Sequence, residues 1–333
     1  MRLLLALPAL LARPTASLPP LPALGRLLQA GGAPRLAEGG IAEWLAAHLG
    51  VAREHDVAFA AMRRRAEGRE PQELWWLAAD PVTLVAGRDD VRIAGVVDTL
   101  TEEEAAGLAA RLDRHFAADG IRFEFTAAGR GYLWSTRDYA IATTPLARAL
   151  GVSLRDHLPR GPDAALWRCW GQEIEMLLHA DPVNAAREER GLAPANGLWF
   201  SGGGRLPPAL PPGSRRVLFG GDADVRALAL HAGAEVAGDV DRLDAALAGA
   251  GGADEFLLAV GAEQAADALE RDFAAPAWDA LCSGRVASIT LVADGDGRVA
   301  SWNVERPGAL ARWTAPLRAA DGAAIIATLA AAR

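Results

Sequence analysis

The stretch VLFGGDADVRALALHAGAEVAGDVDRLDAALAGAGGADEFLLAV, residues 217–260, alternates regularly between two kinds of segment. Short apolar runs at 217–221, 234–238 and 254–260 are typical of strands, and the alanine-rich segments between them are typical of helices. The alternation continues through EQAADALERDFA and VASITLVADG. Strands that alternate with helices form a parallel sheet with helices on both faces, so the sequence predicts an α/β core.

The rest of the chain divides into an N-terminal part and a central region of different texture. The first residues, MRLLLALPALLARPTAS, are predicted to form a buried first strand, and a signal peptide is the alternative interpretation. Residues 71–204 mix long helices with strands that can pair as hairpins, and a proline-rich connection, RLPPALPPGS, follows them. We therefore predict a discontinuous core domain, 1–70 and 205–333, with an inserted α+β domain, 71–204.

The composition of the chain argues against several classes of function. The chain has 333 residues and a net charge of −8, which argues against broad nucleic-acid binding. The densest basic run, Arg63–Arg65, is typical of a solvated helix face. Two cysteines, Cys169 and Cys282, are too few for a disulfide framework, and no apolar run is long enough to span a membrane. The expected location is the cytoplasm.

The segment LLHADPVNAAREERGLAPANGLWFSGGG, residues 177–204, carries the candidate ligand-binding residues. Pro182 is expected to begin a short helix that Gly191 ends, and arginine forks with backbone amides suit a carboxylate or phosphate. The candidates are polar, aromatic or glycine residues grouped around this helix and the next strand: Asn184, Arg187, Arg190, Asn196, Trp199, Gly202, Gly203, Gly204 and His179.

The alternative interpretation of this segment is structural. In that interpretation Asn184 and Asn196 cap turns, Arg187 pairs with a neighbouring glutamate, and the residues fix the join between the two domains. His179 is then a buried, hydrogen-bonded histidine on the same face as Ile174.

The glycines 202–204 are expected to form a backbone turn that can approach a ligand closely.

Four stretches resemble one family in the same order along the chain. DPVNAAREERGLAPANGLWFSGGGRLP resembles the segment that closes the inserted domain of archaeal-type cofactor-independent phosphoglycerate mutases. ADPVTLVAG, DTLTEEEAAGL and LPALGRLLQAG are similar to other motifs of these enzymes. The chain also resembles the bacterial RpfE-type regulatory proteins. The resemblance implies the alkaline-phosphatase-like fold, and in the family two Mn²⁺ or Zn²⁺ ions with a phosphorylated serine supply the chemistry.

The motifs that carry that chemistry are largely missing from this sequence. Pro8 and Ala9 stand where the family's first strand ends in Asp-Gly, and no serine occurs between Ser17 and Ser135. No histidine follows His231, so the family's last metal motif, an Asp-His, has lost its histidine. We therefore predict no catalytic residue, no metal ligand and no cofactor. Asp294 and Asp296 in ADGDG could hold one ion, although a β-hairpin turn is the simpler interpretation.

Three hypotheses about function follow. The first is a non-catalytic, regulatory relative that binds a small phosphorylated or carboxylated ligand, or a protein partner. The second is an active metal-dependent mutase or phosphatase whose ligands are drawn from six aspartates: Asp80, Asp98, Asp222, Asp224, Asp239 and Asp254. The third is a structural or scaffold protein whose surface carries its function.

Overall fold

The computed structural model describes residues 1–14, 18–88, 90–126, 129–211, 213–308 and 321–331. It divides into two compact units. Unit 1 consists of Met1–Val51 and Ala209–Arg333, and unit 2 consists of Ala52–Pro208.

Unit 1 is built on a seven-stranded sheet with the order β2-β12-β11-β1-β10-β8-β9. Its strands are β1 (Arg2–Leu7), β2 (Arg35–Glu38), β8 (Arg216–Gly220), β9 (Glu235–Val236), β10 (Glu255–Ala259), β11 (Ser288–Gly295) and β12 (Arg298–Glu305). The apolar strand β1 lies in the middle and pairs in parallel with β10 and β11. The antiparallel pairs among the described strands lie at one side of the sheet. There β12 returns from β11 as a hairpin, and β2 pairs with β12 as the edge strand.

Helices cover both faces of this sheet. They are α1 (Pro22–Gly31), α2 (Ile41–Leu49), α8 (Ala223–His231), α9 (Leu243–Gly249), α10 (Ala266–Ala268), α11 (Ala275–Ser283) and α12 (Gly322–Ala331), and a π-helical segment, Leu269–Ala274, precedes α11. Alternate residues of a strand point to opposite faces. Leu3 and Leu5 of β1 join the core formed with α1, α9 and α11, whereas α2 and α8 contact the sheet from the other side.

Unit 2 contains a five-stranded sheet made of β3 (Trp75–Ala86), β4 (Val91–Val96), β5 (Ile121–Phe125), β6 (Gly131–Ser135) and β7 (Gly197–Gly204). Its helices are α3 (Phe59–Ala66), α4 (Glu102–His115), α5 (Leu146–Ala149), α6 (Ala164–His179) and α7 (Pro182–Glu189). One face packs against α4 and α6 through an aromatic core in which Trp167 is almost completely buried. All strand pairs are antiparallel, as an α+β architecture requires.

The structure confirms the α/β class with a parallel-rich sheet, and the N-terminal apolar run forms the central strand of that sheet. None of the described helices combines the length and the hydropathy that crossing a bilayer requires.

The boundary between the units lies earlier than the expected one at residue 70. The reason is α3, which packs on β3 and β7 and therefore belongs to unit 2. Arg64 of this helix is only 5% exposed, because its guanidinium lies over the rings of Trp76 and Tyr132 and pairs with Glu124 at 2.7 Å. The expectation that the basic run is a solvated face was therefore wrong for its middle residue.

Candidate functional site

The segment after α6 forms the short helix that its sequence predicts. Asp181 accepts a hydrogen bond from the amide of Val183 at 2.9 Å, and Pro182 occupies the first helical position, where no amide hydrogen is needed. Gly191 follows the helix with a φ of 72°, the left-handed conformation that glycine adopts without strain. Asn184 and Arg187, three residues apart, form the buried face of α7.

Asn184 connects the end of α6 to the segment that precedes β7. Its amide nitrogen donates to the carbonyl oxygens of Leu178 at 2.8 Å and Ala195 at 3.0 Å. Its Oδ1 accepts a hydrogen bond from the amide of Ala195 at 2.8 Å. Asn184 is only 3% exposed, and both ends of its side-chain amide form hydrogen bonds with backbone groups inside unit 2.

Arg187 is completely buried and fully occupied. Its Nε donates to the Ala193 carbonyl at 2.9 Å, and its Nη1 donates to the Thr99 carbonyl at 3.2 Å and to Glu104 Oε2 at 2.7 Å. Its Nη2 donates to Thr99 Oγ1 at 3.2 Å. A buried charge requires such pairing, so this arginine stabilises the unit from inside and presents no free fork to solvent.

Glu104 receives a second arginine and is the counterion of the whole cluster. Its other carboxylate oxygen accepts a hydrogen bond from Nη2 of Arg190, whose side chain is half exposed. Burial raises the pKa of Glu104, but the amide of Thr101 and the guanidinium groups of Arg190 and Arg187 outweigh burial, so the pKa lies below its ordinary value of 4.5. Glu104 also completes the capping box that begins α4.

Asn196 and Trp199 anchor β7 to its surroundings. Asn196 exchanges two hydrogen bonds with the backbone of Leu84 in β3, at 2.6 and 3.0 Å. Trp199 is 5% exposed, and its indole nitrogen donates to the carbonyl of Thr144 at 2.8 Å. Both side chains therefore bind backbone groups of unit 2.

The glycines 202–204 do not form the turn that the sequence suggested. They continue β7, which pairs with β3 as far as Gly204 opposite Trp76. A β-carbon on Gly202 would lie 2.8 Å from Cβ of Phe59 in α3, and one on Gly203 would lie 2.8 Å from Cζ2 of Trp75. The missing side chains allow α3 and an indole ring to pack directly on the strand, so close approach is indeed their role, but to protein rather than ligand.

His179 is also placed differently from the expectation. It is the last residue of α6 and is exposed, whereas Ile174 and Leu178 point into the core. The helical repeat carries position 179 away from the buried face, and a histidine at a helix C-terminus interacts favourably with the helix dipole. The interpretation of a buried histidine was wrong.

Three of the nine candidates, Asn184, Arg187 and Arg190, are brought together by hydrogen bonds to neighbouring partners. Asn184 and Arg187 join through α7 and the 193–195 segment, and Arg190 joins them through Glu104. The glutamate partner expected for Arg187 is present, and the hydrogen-bond partners of Asn184, Arg187 and Arg190 lie within residues 52–208. The arrangement stabilises unit 2 by joining α4, α6, α7 and β7.

The carboxyl edge of the unit 1 sheet is where open α/β folds usually bind ligands. There, Asp294 near the end of β11 holds two backbone segments together. Its Oδ1 accepts from the amide of Ala9 at 2.7 Å, and its Oδ2 accepts from the amide of Ile41 at 2.9 Å. Ala9 follows β1 with a φ of 57°, and Ile41 begins α2. Both carboxylate oxygens are therefore committed to the backbone.

Asp296 lies in the two-residue turn between β11 and β12. Gly295 pairs with Arg298 across this turn, and Asp296 and Gly297 have positive φ values of 49° and 76°. Two consecutive positive φ values with an Asp-Gly sequence define a tight hairpin of the primed type. The hairpin interpretation of ADGDG is confirmed.

No group of three or more histidine, cysteine, aspartate and glutamate residues that could hold a metal ion occurs within the part of the chain described here. Four of the six aspartates considered as ligands form hydrogen bonds or ion pairs with other groups. Asp222 caps α8 through the amide of Val225, Asp254 accepts from the amide of Arg215, and Asp239 pairs with Arg226. Asp80 accepts from the amide of Gly131. The side chains of the described residues do not form the two-metal centre that the resemblance implies.

One half-buried polar cluster was not foreseen from the sequence. Asp56 accepts hydrogen bonds from the amide and the hydroxyl of Thr143 and from the amide of Val57, while the amide of Gly202 donates to Thr143 Oγ1 at 2.9 Å. Burial raises the pKa of Asp56 above its ordinary 3.8 despite these donors. No local pattern links residues 56 and 143, so only the fold reveals the pair.

Comparisons with known proteins identify relatives of part of the chain. No protein-family model matches it. It is 34% identical over 126 residues to the 2,3-bisphosphoglycerate-independent phosphoglycerate mutase of Methanothrix thermoacetophila, over 38% of this chain and 31% of that enzyme. The enzyme of the same name from Methanosarcina mazei is 29% identical over 110 residues, or 32% and 28% of the two chains. The match thus spans about three-tenths of the length of these relatives.

Two solved structures align with most of the chain. A cofactor-independent phosphoglycerate mutase from Thermoplasma acidophilum aligns over 99% of both chains with a TM-score of 0.43 and 16% identity. The PH0037 protein from Pyrococcus horikoshii aligns over 91% of this chain and 87% of its own, with a TM-score of 0.47 and 13% identity. Over the segments that match in sequence, the homologues of this protein are archaeal-type cofactor-independent phosphoglycerate mutases.

Proposed function

We propose that this protein is a non-catalytic, regulatory relative of the cofactor-independent phosphoglycerate mutases, of the RpfE type, and that it acts in the cytoplasm by binding. The observation that carries the proposal is the hydrogen bonding of Asp294. It lies on the strand that resembles the family's last metal-binding motif, and both its oxygens accept backbone amides of Ala9 and Ile41. Within the described residues Asp294 belongs to no group of three or more acids, histidines and cysteines that could hold an ion, so its role there is to accept the backbone amides.

The sequence around this edge supports the same proposal. Dinuclear chemistry needs a dense set of aspartate and histidine ligands around two ions a few ångströms apart. Pro8 and Ala9 follow β1, and the segment GGIAEWLAAHLG that leads into and forms α2 contains no serine. No serine or threonine stands in GGIAEWLAAHLG, so this segment offers no hydroxyl nucleophile for metal-dependent phosphoryl transfer.

The arginine cluster of unit 2 limits which ligands can bind to the 177–204 segment. Arg187 is fully buried and bound to Glu104, so an external phosphate or carboxylate would have to displace an internal carboxylate. Charge-assisted pairs of this kind are strong when buried. We therefore favour a protein partner over a small anionic ligand, with Arg190 as the half-exposed member of the cluster.

The proposal is tested by assaying the purified protein for phosphoglycerate mutase and phosphatase turnover with Mn²⁺ and with Zn²⁺, alongside an archaeal mutase as the positive control. We expect no turnover above the metal-only background, and no heat of binding when 3-phosphoglycerate is titrated with or without Mn²⁺. Metal-dependent turnover that disappears in Asp294→Ala but persists in Asp296→Ala would show that Asp294 is a ligand and that the protein is an enzyme.

A further inference from the structure

The edge strand β2 of the unit 1 sheet is exposed along its whole length. All four of its residues, Arg35–Glu38, are exposed, and Leu36 is 59% exposed. Leu36 pairs with Ala300 of β12, which belongs to the buried core on the α1 side of the sheet. Residues that lie opposite each other on neighbouring strands point to the same face. Leu36 therefore extends the apolar face of the sheet to its edge, where the side chain meets solvent.

The backbone of β2 has hydrogen-bonding groups that point away from the sheet. The amide of Gly39 donates to the carbonyl of Gly297 at 2.9 Å, which continues the register of β2 with β12. Hydrogen-bonded pairs alternate along an antiparallel ladder, so the odd-numbered residues of β2 bond to β12. Leu36 and Glu38 then direct their amides and carbonyls outward. No hydrogen bond from any residue that the structure describes reaches these outward groups.

A second copy of β2 can satisfy these groups by symmetry. Most homo-oligomers are built about a twofold axis, and such an axis perpendicular to a sheet pairs two copies of one edge strand in antiparallel orientation. The residue on the axis then lies opposite itself. Leu36 suits that position, because its backbone points outward and its side chain is apolar. Glu38 does not suit it, because two carboxylates directly opposite each other repel.

From this geometry we propose that β2 pairs with β2 of a second copy of the protein, with Leu36 of each copy opposite Leu36 of the other. The two Leu36 residues exchange amide-to-carbonyl hydrogen bonds, and their side chains pack as a cross-strand pair. The unit 1 sheets of the two copies become continuous, and the exposed leucines are removed from water. This inference goes beyond the function proposed above and does not depend on it.

The ends of β2 confine the pairing to this short segment. Pro34 has no amide hydrogen to donate, and Gly39 has a φ of 111°, which departs from extended strand geometry. Short edge strands and flanking prolines limit the growth of edge-to-edge assemblies. A strand pair of this length buries less than the roughly 1,200 Å² of a stable complex, so we expect a closed dimer that dissociates on dilution.

The first test is sedimentation equilibrium of the full-length protein across a dilution series. We expect a reversible equilibrium between monomer and dimer. Leu36→Lys should weaken the dimer roughly tenfold or more, because like charges would lie directly opposite each other. The matched control is Leu230→Lys on α8, which changes another exposed leucine of unit 1, 46% exposed, and should leave the equilibrium unchanged. Thermal unfolding of both variants checks that they fold.

Disulfide trapping tests the register. In a background of Cys169→Ser and Cys282→Ser, single cysteines are placed by Leu36→Cys and by Ala37→Cys. Directly opposite residues in a hydrogen-bonded pair have Cα atoms about 5.5 Å apart, within reach of a disulfide. Two cysteines at position 37 would lie diagonally, at about 7–8 Å. Under mild oxidation we therefore expect a covalent dimer to form faster through position 36 than through position 37.

Four results would overturn the proposal. They are a monomer at every concentration, a dimer that Leu36→Lys leaves intact, faster trapping through position 37, and species that grow beyond a dimer. The result of the mutase assay bears on the proposed function alone, because a catalytic protein could form this dimer equally well.

Discussion

Replacing Glu104 with glutamine removes one charge from the centre of the arginine cluster and little else. The amide keeps an oxygen that can accept the hydrogen bond from Thr101, so the helix cap is retained in shape. Arg187 remains completely buried, with two carbonyls and a hydroxyl as partners but no counterion. The change therefore isolates the contribution of a buried charge pair.

The expected loss of stability follows from burial. Breaking a buried ion pair by removing one partner costs about 3–5 kcal/mol, because the remaining charge is left uncompensated. The pair of Arg190 with Glu104 is half exposed on the arginine side, and such pairs contribute about 0–1 kcal/mol. Arg190→Ala, which leaves Glu104 paired with Arg187, is therefore the matched control.

The free energies of unfolding of wild type, Glu104→Gln and Arg190→Ala are measured by urea unfolding. Tryptophan fluorescence and circular dichroism monitor the transition. The same series at lower pH provides a second readout. Because the folded-state pKa of Glu104 lies below 4.5, its contribution is present above pH 4.5 and is lost as the pH falls through the folded-state pKa. The gap between wild type and Glu104→Gln should therefore close in acid.

Two results would refute this reasoning. One is a loss in Glu104→Gln no larger than that in Arg190→Ala, which would mean that Arg187 does not depend on its counterion. The other is a gap between wild type and Glu104→Gln that stays constant into acid, which would mean that the pKa of Glu104 is not lowered.

Three further predictions concern packing, the sheet edge and pH. Gly203→Ala should lower the free energy of unfolding by about 1–3 kcal/mol, because the new methyl group overpacks the adjacent indole ring. The control is Gly171→Ala, whose methyl group would lie 4.0 Å from its nearest neighbour and should leave stability unchanged or raise it. Urea unfolding midpoints distinguish the two variants. Asp294→Ala should destabilise unit 1 by about 1–3 kcal/mol through two orphaned amides, measured by thermal unfolding; an unchanged midpoint would contradict the bonds described. Because the pKa of Asp56 is raised, its stabilising contribution should be full below pH 3.8 and decline as the pH rises through the folded-state value; a wild-type minus Asp56→Asn difference that does not vary with pH would exclude this.

Local signals in the sequence were reliable guides to local structure. The capping box of Thr101 and Glu104 begins α4 where it was expected, and the Asp181–Pro182 pair begins α7. These signals act within one helical turn, so the residues that satisfy the first amides are adjacent in the chain. The alternating segments after residue 216 predicted the parallel sheet for the same reason, since each strand and helix carries its own pattern.

Signals that depend on distant neighbours were misinterpreted. A run of glycines after a strand has the composition of a turn, and only the position of α3 shows why Gly202–Gly204 must lack side chains. The basic run in α3 has the composition of a solvated face, yet the sheet surface provides the rings and the carboxylate that bury Arg64. Propensity describes one segment at a time, and tertiary packing overrides it.

The candidate site shows the same division. The residues of the 177–204 segment were recognised as a group, and the structure does bring Asn184 and Arg187 together. Arg187 faces a glutamate 83 residues earlier in the chain, and not solvent, because α4 packs against α7. No spacing in the sequence indicates that contact. The dual role of Asp294 is hidden in the same way, because its partners Ala9 and Ile41 are far away in the chain.

The position of β1 in the middle of its sheet has a consequence for synthesis of the chain on the ribosome. Leu4 pairs with Leu257 on one side and Thr290 on the other, so the sheet of unit 1 cannot close until these late segments have emerged. Unit 2 is continuous from residue 52 to 208 and has all its strands by then. Because domains fold as units during translation, we expect the inserted unit to fold first, while the leucine-rich strand β1 stays unpaired until its partner strands have been synthesised.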